Sequence, residues 1–416
     1  MKNLLLICSL VLTSFVSLAG QYQASFARLD ITPQPQKDSL LRLAGEPTKD
    51  YQITDPLFAK ILLISDSQQK IGILSLDILG LLPAENEQLM TQLNAGTELD
   101  LLIVNTTHTH SGFVDDHHIT KLTPQLIKLI NQANSQFQPV QLAAYSIQVD
   151  ESYNRIQKTE NGIKMLWSNP KRIQSPAANT DLNMIDIQHL SGQPFLSIVN
   201  YNAHPVVTMD RHQAVVSADY PAYLAKRLKQ ELKREMMFLA GAAGDTNPYD
   251  AGTTPVTAAV EKAKDLAAQL FTPIKQALVK PKTYQQSGHI DFVQHSYQLP
   301  LEASGPTRTF LLDNGFAKPI NAAQVNAIRL SKDIALATFS GEFFSDFANQ
   351  LKNKSEYSHT LFVGYSNGSL GYVPTIEASK LGGYGAGADS IMVKPGIGEK
   401  MVSDAADSLN QIRLKF

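Results

Sequence analysis

The chain has 416 residues, 43% of them hydrophobic and 18% charged, which excludes a disordered or fibrous polypeptide. Lys and Arg total 36 against 38 Asp and Glu, a formal net charge of −2, and that balance argues against a nucleic-acid binder. The single cysteine, Cys8, sits near the N-terminus, so a disulfide scaffold and a cysteine-based zinc site are both excluded.

In chain order, Met1-Lys2-Asn3 is a short cationic head, followed by an apolar run from Leu4 to Val16 and by Ser17-Leu18-Ala19. This pattern predicts a secretory signal peptide over residues 1–19, cleaved after Ala19 or Gly20. The run falls short of the roughly 20 apolar residues a membrane span needs, and no later stretch approaches that length. An exported, cysteine-free mature chain suits a bacterial periplasmic or secreted protein.

Strand-like runs rich in Ile, Leu and Val follow at Phe58 to Ile64, Lys70 to Leu79, Asp100 to Asn105, Gln141 to Ile147, Asn183 to Gln188, Pro194 to Tyr201 and Met236 to Ala240. Several are apolar at both parities, as strands buried on both faces are. Helical patterns occupy Pro124 to Phe137, Pro221 to Met236 and Val256 to Leu278. The basic residues of the second helix alternate with Glu231 and Glu235 and read as a solvated face. Beyond Lys280-Pro281-Lys282, read as a loop, strands are predicted at Ile290 to Gln298, Gln324 to Leu330, Ile334 to Phe339 and Thr360 to Tyr365. Strands alternating with helices predict an α/β fold, a central mixed sheet flanked by helices in one large domain over 20–416. No internal repeat is visible.

Three of these strands run into residues with metal chemistry. Leu101 to Asn105 leads to Thr106-Thr107-His108-Thr109-His110-Ser111-Gly112. On an extended backbone, two residues two apart share a face, so both imidazoles can enter one cleft. They are either a metal-binding pair or satisfied loop histidines. Phe195 to Tyr201 leads to Asn202-Ala203-His204-Pro205, and Ala335 to Phe339 leads to Ser340-Gly341-Glu342-Phe343. A carboxylate among apolar residues needs a partner, and a cation is the simplest one. Two histidines and a glutamate from separate strand ends suit a catalytic zinc with an open position. The strand Met237 to Ala240 opens into Gly241-Ala242-Ala243-Gly244-Asp245, a tight loop that predicts backbone close to a ligand. Asp77 reads equally as support for the site or as a core-satisfied carboxylate.

Together these segments resemble the catalytic domain of the neutral/alkaline, non-lysosomal ceramidase family, without its C-terminal immunoglobulin-like domain. The resemblance rests on Thr107-His108-Thr109-His110-Ser111-Gly112, Asn202-Ala203-His204-Pro205 with Ser217-Ala218-Asp219, Gly244-Asp245 with Pro248, and Gly341-Glu342-Phe343. It extends to Tyr365-Ser366-Asn367, Tyr372-Val373-Pro374-Thr375, Tyr384 and Asn154-Arg155. It implies a zinc-dependent amidase of lipid and sphingolipid metabolism that cleaves the N-acyl bond of ceramide. The substrate would be a lipid-like N-acyl amide met at a membrane surface. Carried over by position, the zinc ligands are His108, His204, Glu342 and Tyr372. His110 is the general acid/base, and Arg155 and Tyr384 orient the substrate or stabilise the oxyanion.

The chain departs from the family pattern in two loops. Asp245-Thr246-Asn247-Pro248 replaces Asp-Val-Ser-Pro, and Glu377 to Gly383 lacks the family's Tyr, Gln and Arg. Reaction type is therefore better supported than substrate. Two other readings stand beside ceramide hydrolysis: an exported zinc amidase or esterase for another small acyl amide or ester, and a non-catalytic metal- or lipid-binding homologue.

Overall fold

Alternating apolar side chains, buried on both faces of the strands, build two sheets. The computed structural model describes residues 20–34, 37, 48–81, 83–112, 114–115, 118–160, 162–210, 212–302, 309 and 320–415; the leader expected over 1–19 lies outside them. The main strands are β1 Gln23–Asp30, β2 Phe58–Ser65, β3 Lys70–Leu76, β4 Leu101–Thr106, β5 Gln138–Gln148, β6 Asp181–His189, β7 Pro194–Tyr201, β8 Glu235–Ala240, β9 Asp291–Leu299, β10 Ile320–Arg329, β11 Ile334–Phe339 and β12 His359–Val363. An 8-stranded mixed sheet has the order β8-β7-β6-β5-β1-β2-β3-β4, and a 4-stranded sheet has the order β9-β10-β11-β12. The fold is the predicted mixed α/β class. Among the described residues, no helix is long and apolar enough to cross a membrane.

The topology repeats three times, although no repeat is visible in the sequence. In each unit three successive strands pair antiparallel, a helix crosses over, and a fourth strand returns parallel to the third. The crossover helices are Pro83–Gly96, Asp219–Leu232 and Asp346–Lys354. Such a connection is what a parallel pair requires, since a hairpin cannot reverse direction twice. Helices His118–Asn134, Val256–Leu278 and Ile397–Leu414 follow the three fourth strands. The first two units join through antiparallel pairing of β1 with β5, and Lys280-Pro281-Lys282 lies in the connection from the second unit to the third.

Strand periodicity divides the core. On β2, Ile61 and Leu63 face an outer cluster with the first unit's helices, while Leu62 and Ile64 face a central cluster. The same alternation separates Met184 from Ile185, Phe238 from Leu239, and Phe362 from Leu361. Each unit thus has its own helix-covered core, and the central cluster draws on strands of all three. Buried polar groups tie the units across it. Ser75 Oγ donates to Phe238 O at 2.9 Å, Asn105 Nδ2 to Gly364 O at 2.8 Å, and Asn200 Nδ2 to Phe362 O at 2.9 Å. Each bond reaches a main-chain carbonyl of a different unit; Gly364 O also accepts from Ser366 Oγ, whereas Asn200 Nδ2 is the side-chain donor to Phe362 O. Asn200→Leu is therefore expected to destabilise the chain by about 1–3 kcal/mol. Urea denaturation should show a lowered midpoint with an unchanged slope.

Candidate functional site

All three units deliver their strand ends to one point. After β4 the chain turns sharply: His108 has φ of 62°, in the left-handed region. The extended backbone expected for His108-Thr109-His110 is therefore not what forms. The turn is held by His108 N donating to Ile78 O at 3.0 Å and His110 N donating to Pro205 O at 3.0 Å. The two rings still enter one cleft, edge to face, with centroids 4.9 Å apart. His204 follows β7, and its ring centroid lies 5.1 Å from that of His108 and 5.5 Å from that of His110. Ligand atoms of His108, His110 and His204 all fall within 4.8 Å of one another.

Glu342, just beyond β11, completes the cluster. Its Oε2 lies 3.2 Å from His108 Nε2 and 3.1 Å from His204 Nε2. The other ring nitrogens settle the protonation. His108 Nδ1 is 2.6 Å from Leu79 O, and His204 Nδ1 is 2.9 Å from Thr246 O. A carbonyl only accepts, so both Nδ1 atoms carry the hydrogen, and each ring is oriented with Nε2 facing the carboxylate. Whenever neither Nε2 carries a proton, three acceptors meet there with no donor between them. Burial pushes the His204 imidazole down to about 4, against its hydrogen bond with Glu342. His110 is also held well below the ordinary histidine range, first by burial and then by repulsion from His108 and His204. Burial alone would raise Glu342, but its interactions with His108 and His204 outweigh it and keep the carboxyl well below the usual range. A donor set of this kind, two oriented imidazoles and a carboxylate, fits a divalent cation such as zinc. His110 differs from its neighbours, because neither ring nitrogen has a hydrogen-bond partner among the described residues.

The remaining candidates surround this cluster. Tyr372 pairs in register with Glu342 in a short parallel ladder, Glu342–Phe343 with Tyr372–Val373. Burial raises its phenol well above the ordinary value, with the Glu342 charge adding to the effect. Arg155 is fully buried, its Cζ 5.4 Å from the Tyr372 ring centre and 5.2 Å from that of Tyr384. Its Nη2 donates to Gly244 O at 2.7 Å, while Nε has no hydrogen-bond partner among the described residues. Tyr384 stays about half exposed at 48% and stacks edge-on with Tyr372 at 5.3 Å.

Several supports were not legible as such. Tyr365, after β12, stacks on His108 at 4.3 Å and keeps a buried hydroxyl without a partner. The Gly244-Asp245 turn lies against backbone: a Cβ on Gly244 would stand 2.3 Å from Glu342 O. Asp245 then accepts from Asn154 Nδ2 at 2.7 Å and Ser345 N at 2.6 Å, joining the Arg155 segment to the Glu342 segment. Thr109 Oγ1 donates to Ser217 O at 2.7 Å, so Ser217-Ala218-Asp219 braces the histidine turn. Asp77 takes the plainer of its two readings. It is buried against Lys60 at 3.1 Å and accepts from Phe58 N at 3.0 Å, with neither bond reaching the cluster.

The chain resembles known structures more than known sequences. No family model matches it, and no curated protein matches it significantly. Among solved structures, a neutral ceramidase from Pseudomonas aeruginosa matches with a TM-score of 0.74 at 14% identity, covering 95% of this chain and 75% of that one. A ceramidase complexed with C2 matches with a TM-score of 0.75 at 13% identity, covering 95% and 76%. At such identities the likeness is one of fold.

Adding zinc to chelator-stripped protein should raise its thermal midpoint. At a hundredfold excess over the dissociation constant, the gain expected from linkage is about 2.7 kcal/mol. His204→Ala should abolish the shift and the bound metal. Gly244→Ala should weaken both by displacing Glu342. A His204→Ala protein with full metal content would remove the site.

Proposed function

We propose that this chain is an exported zinc hydrolase whose 20–416 region forms one catalytic domain, cleaving the N-acyl amide bond of ceramide or a related N-acyl lipid. The observation that carries the reading is the convergence of His108 Nε2, His204 Nε2 and Glu342 Oε2 on one point, beside a histidine whose ring nitrogens have no hydrogen-bond partner among the described residues. The fold likeness to ceramidase structures and the motif resemblance support the same reaction class.

In this proposal His108, His204, Glu342 and Tyr372 hold the zinc. Zinc bound there supplies a Lewis acid and lowers the pKa of water toward about 7. His110, neutral and unpartnered, accepts the proton of the attacking water and passes it to the leaving amine nitrogen, which departs as an amine. Neutrality is what a base requires, and burial among other imidazoles keeps His110 in that form. Arg155 and Tyr384 orient the acyl group. The Arg155 Nε–H, without a hydrogen-bond partner among the described residues, is a donor for the oxygen that becomes negative in the transition state. Tyr365 stacks on His108 and limits its rotation, so the ring keeps its aim.

Metal content and hydrolysis should be measured on one preparation, with ceramides set against short N-acyl amides and esters. Chelation is expected to abolish turnover and zinc to restore it. His110→Ala should retain zinc and lose about 10²–10⁴ in kcat. Hydrolysis of short amides but not ceramides would move the substrate to the smaller class. Zinc binding without turnover on any substrate would leave a binding protein.

A further inference from the structure

A second cavity, of about 390 Å³, lies between β1–β3 of the first unit and helix Asp219–Leu232 with the start of β8 in the second. None of the residues assigned above to metal or substrate lines it. Its volume falls within the roughly 300–1,000 Å³ of small-molecule sites. Phe26, Phe58, Tyr223 and Met236 supply apolar wall.

Its charges do not balance. Lys60 is neutralised by Asp77 at 3.1 Å, and Lys229 by its ion pair with Glu235. Asp55 is met by donors on both oxygens: Ala218 N at 2.8 Å on one, and Ser217 Oγ, Thr54 Oγ1 and the Tyr223 hydroxyl at 2.5, 3.2 and 3.2 Å on the other. Those donors are neutral, so Asp55 keeps its charge; Arg28, Lys60, Lys226 and Lys229 face Asp55, Asp77 and Glu235, and the wall carries one net positive charge. Arg28 lies over the Phe58 ring at 4.8 Å, and neither Arg28 nor Lys226 has an ion-pair partner among the described residues. An apolar wall with two cations outside any ion pair, and a net positive charge, selects an anionic head on an apolar body.

We propose that this cavity binds a small amphipathic carboxylate, its head between Arg28 and Lys226 and its tail against Phe26, Phe58, Tyr223 and Met236. The assignment does not rest on the hydrolase reading. A carboxylate released by such a hydrolase and one from elsewhere share this chemistry, and the test below separates this cavity from the histidine cluster.

Isothermal titration of the full mature chain with hexanoate, octanoate and decanoate is expected to give affinity rising with chain length. Octylamine and inorganic sulfate should not bind. The double variant Arg28→Gln, Lys226→Gln changes two exposed side chains and should weaken decanoate by at least about tenfold, or 1.4 kcal/mol. His204→Ala should leave decanoate affinity unchanged, whether or not the chain hydrolyses amides. The proposal is overturned by wild-type affinity in the double variant, by octylamine binding as well as octanoate, or by no carboxylate binding at millimolar concentration. Loss of binding in His204→Ala would also overturn it, placing the carboxylate at the histidine cluster.

Discussion

Two imidazole nitrogens and a carboxylate oxygen packed against one another need a proton or a cation between them. His108 and His204 each commit Nδ1–H to a main-chain carbonyl, which leaves each Nε2 facing the Glu342 carboxylate. In water such groups would turn away. Here the carbonyls of Leu79 and Thr246 fix both rings, and the short ladder of Glu342–Phe343 with Tyr372–Val373 fixes the carboxylate. The repulsion is removed only by a proton or a metal ion at the shared point. The sharp turn at His108 is best understood the same way. A left-handed φ on a non-glycine residue costs of order 1 kcal/mol or more, and the surrounding bonds hold it in place.

The repeated unit explains how residues so far apart in sequence reach that point. In each unit the third and fourth strands run parallel, so both end on the same side. From the first unit come Leu79 and His108, from the second His204 and Thr246, from the third Glu342 and Tyr365. One strand end presents a side chain toward the shared point and its parallel neighbour braces or covers it. Sites at the carboxyl ends of parallel strands are the general rule for α/β sheets, and this chain applies it three times around one central core.

How much was legible follows from that arrangement. The strand runs were readable because both faces are buried, and His108, His204 and Glu342 were readable because each follows such a run directly. The first strand, Gln23–Asp30, was missed: its residues are buried toward one end and half exposed toward the other, so it carries no continuous apolar run. The repeat left no trace because topology constrains only alternation and turn position, which many sequences satisfy. Tyr365 was passed over because stacking on His108 is a contact between units. The Gly244 turn was read as an approach to ligand, since a sequence shows that backbone must come close without showing to what. Leu79 O and Thr246 O could not be found at all, because main-chain acceptors have no sequence signature.

Arg155 poses the last physical question, since a fully buried guanidinium beside a cation site adds positive charge to positive charge. No carboxylate lies within ion-pair distance of it among the described residues; its partners include Gly244 O, Asn247 Oδ1, the Tyr372 side chain and aromatic faces. Ring faces compensate a cation only in part, by about 2 kcal/mol or more when desolvated. The resting pocket is therefore short of negative charge once a divalent ion is present. Under the proposed amide cleavage, negative charge would appear on an acyl oxygen, and a site pre-oriented for that charge would stabilise the transition state more than the neutral amide. On this argument the aromatic box of Trp167, Tyr372 and Tyr384 serves to keep Arg155 charged and in place without a carboxylate that would cancel it.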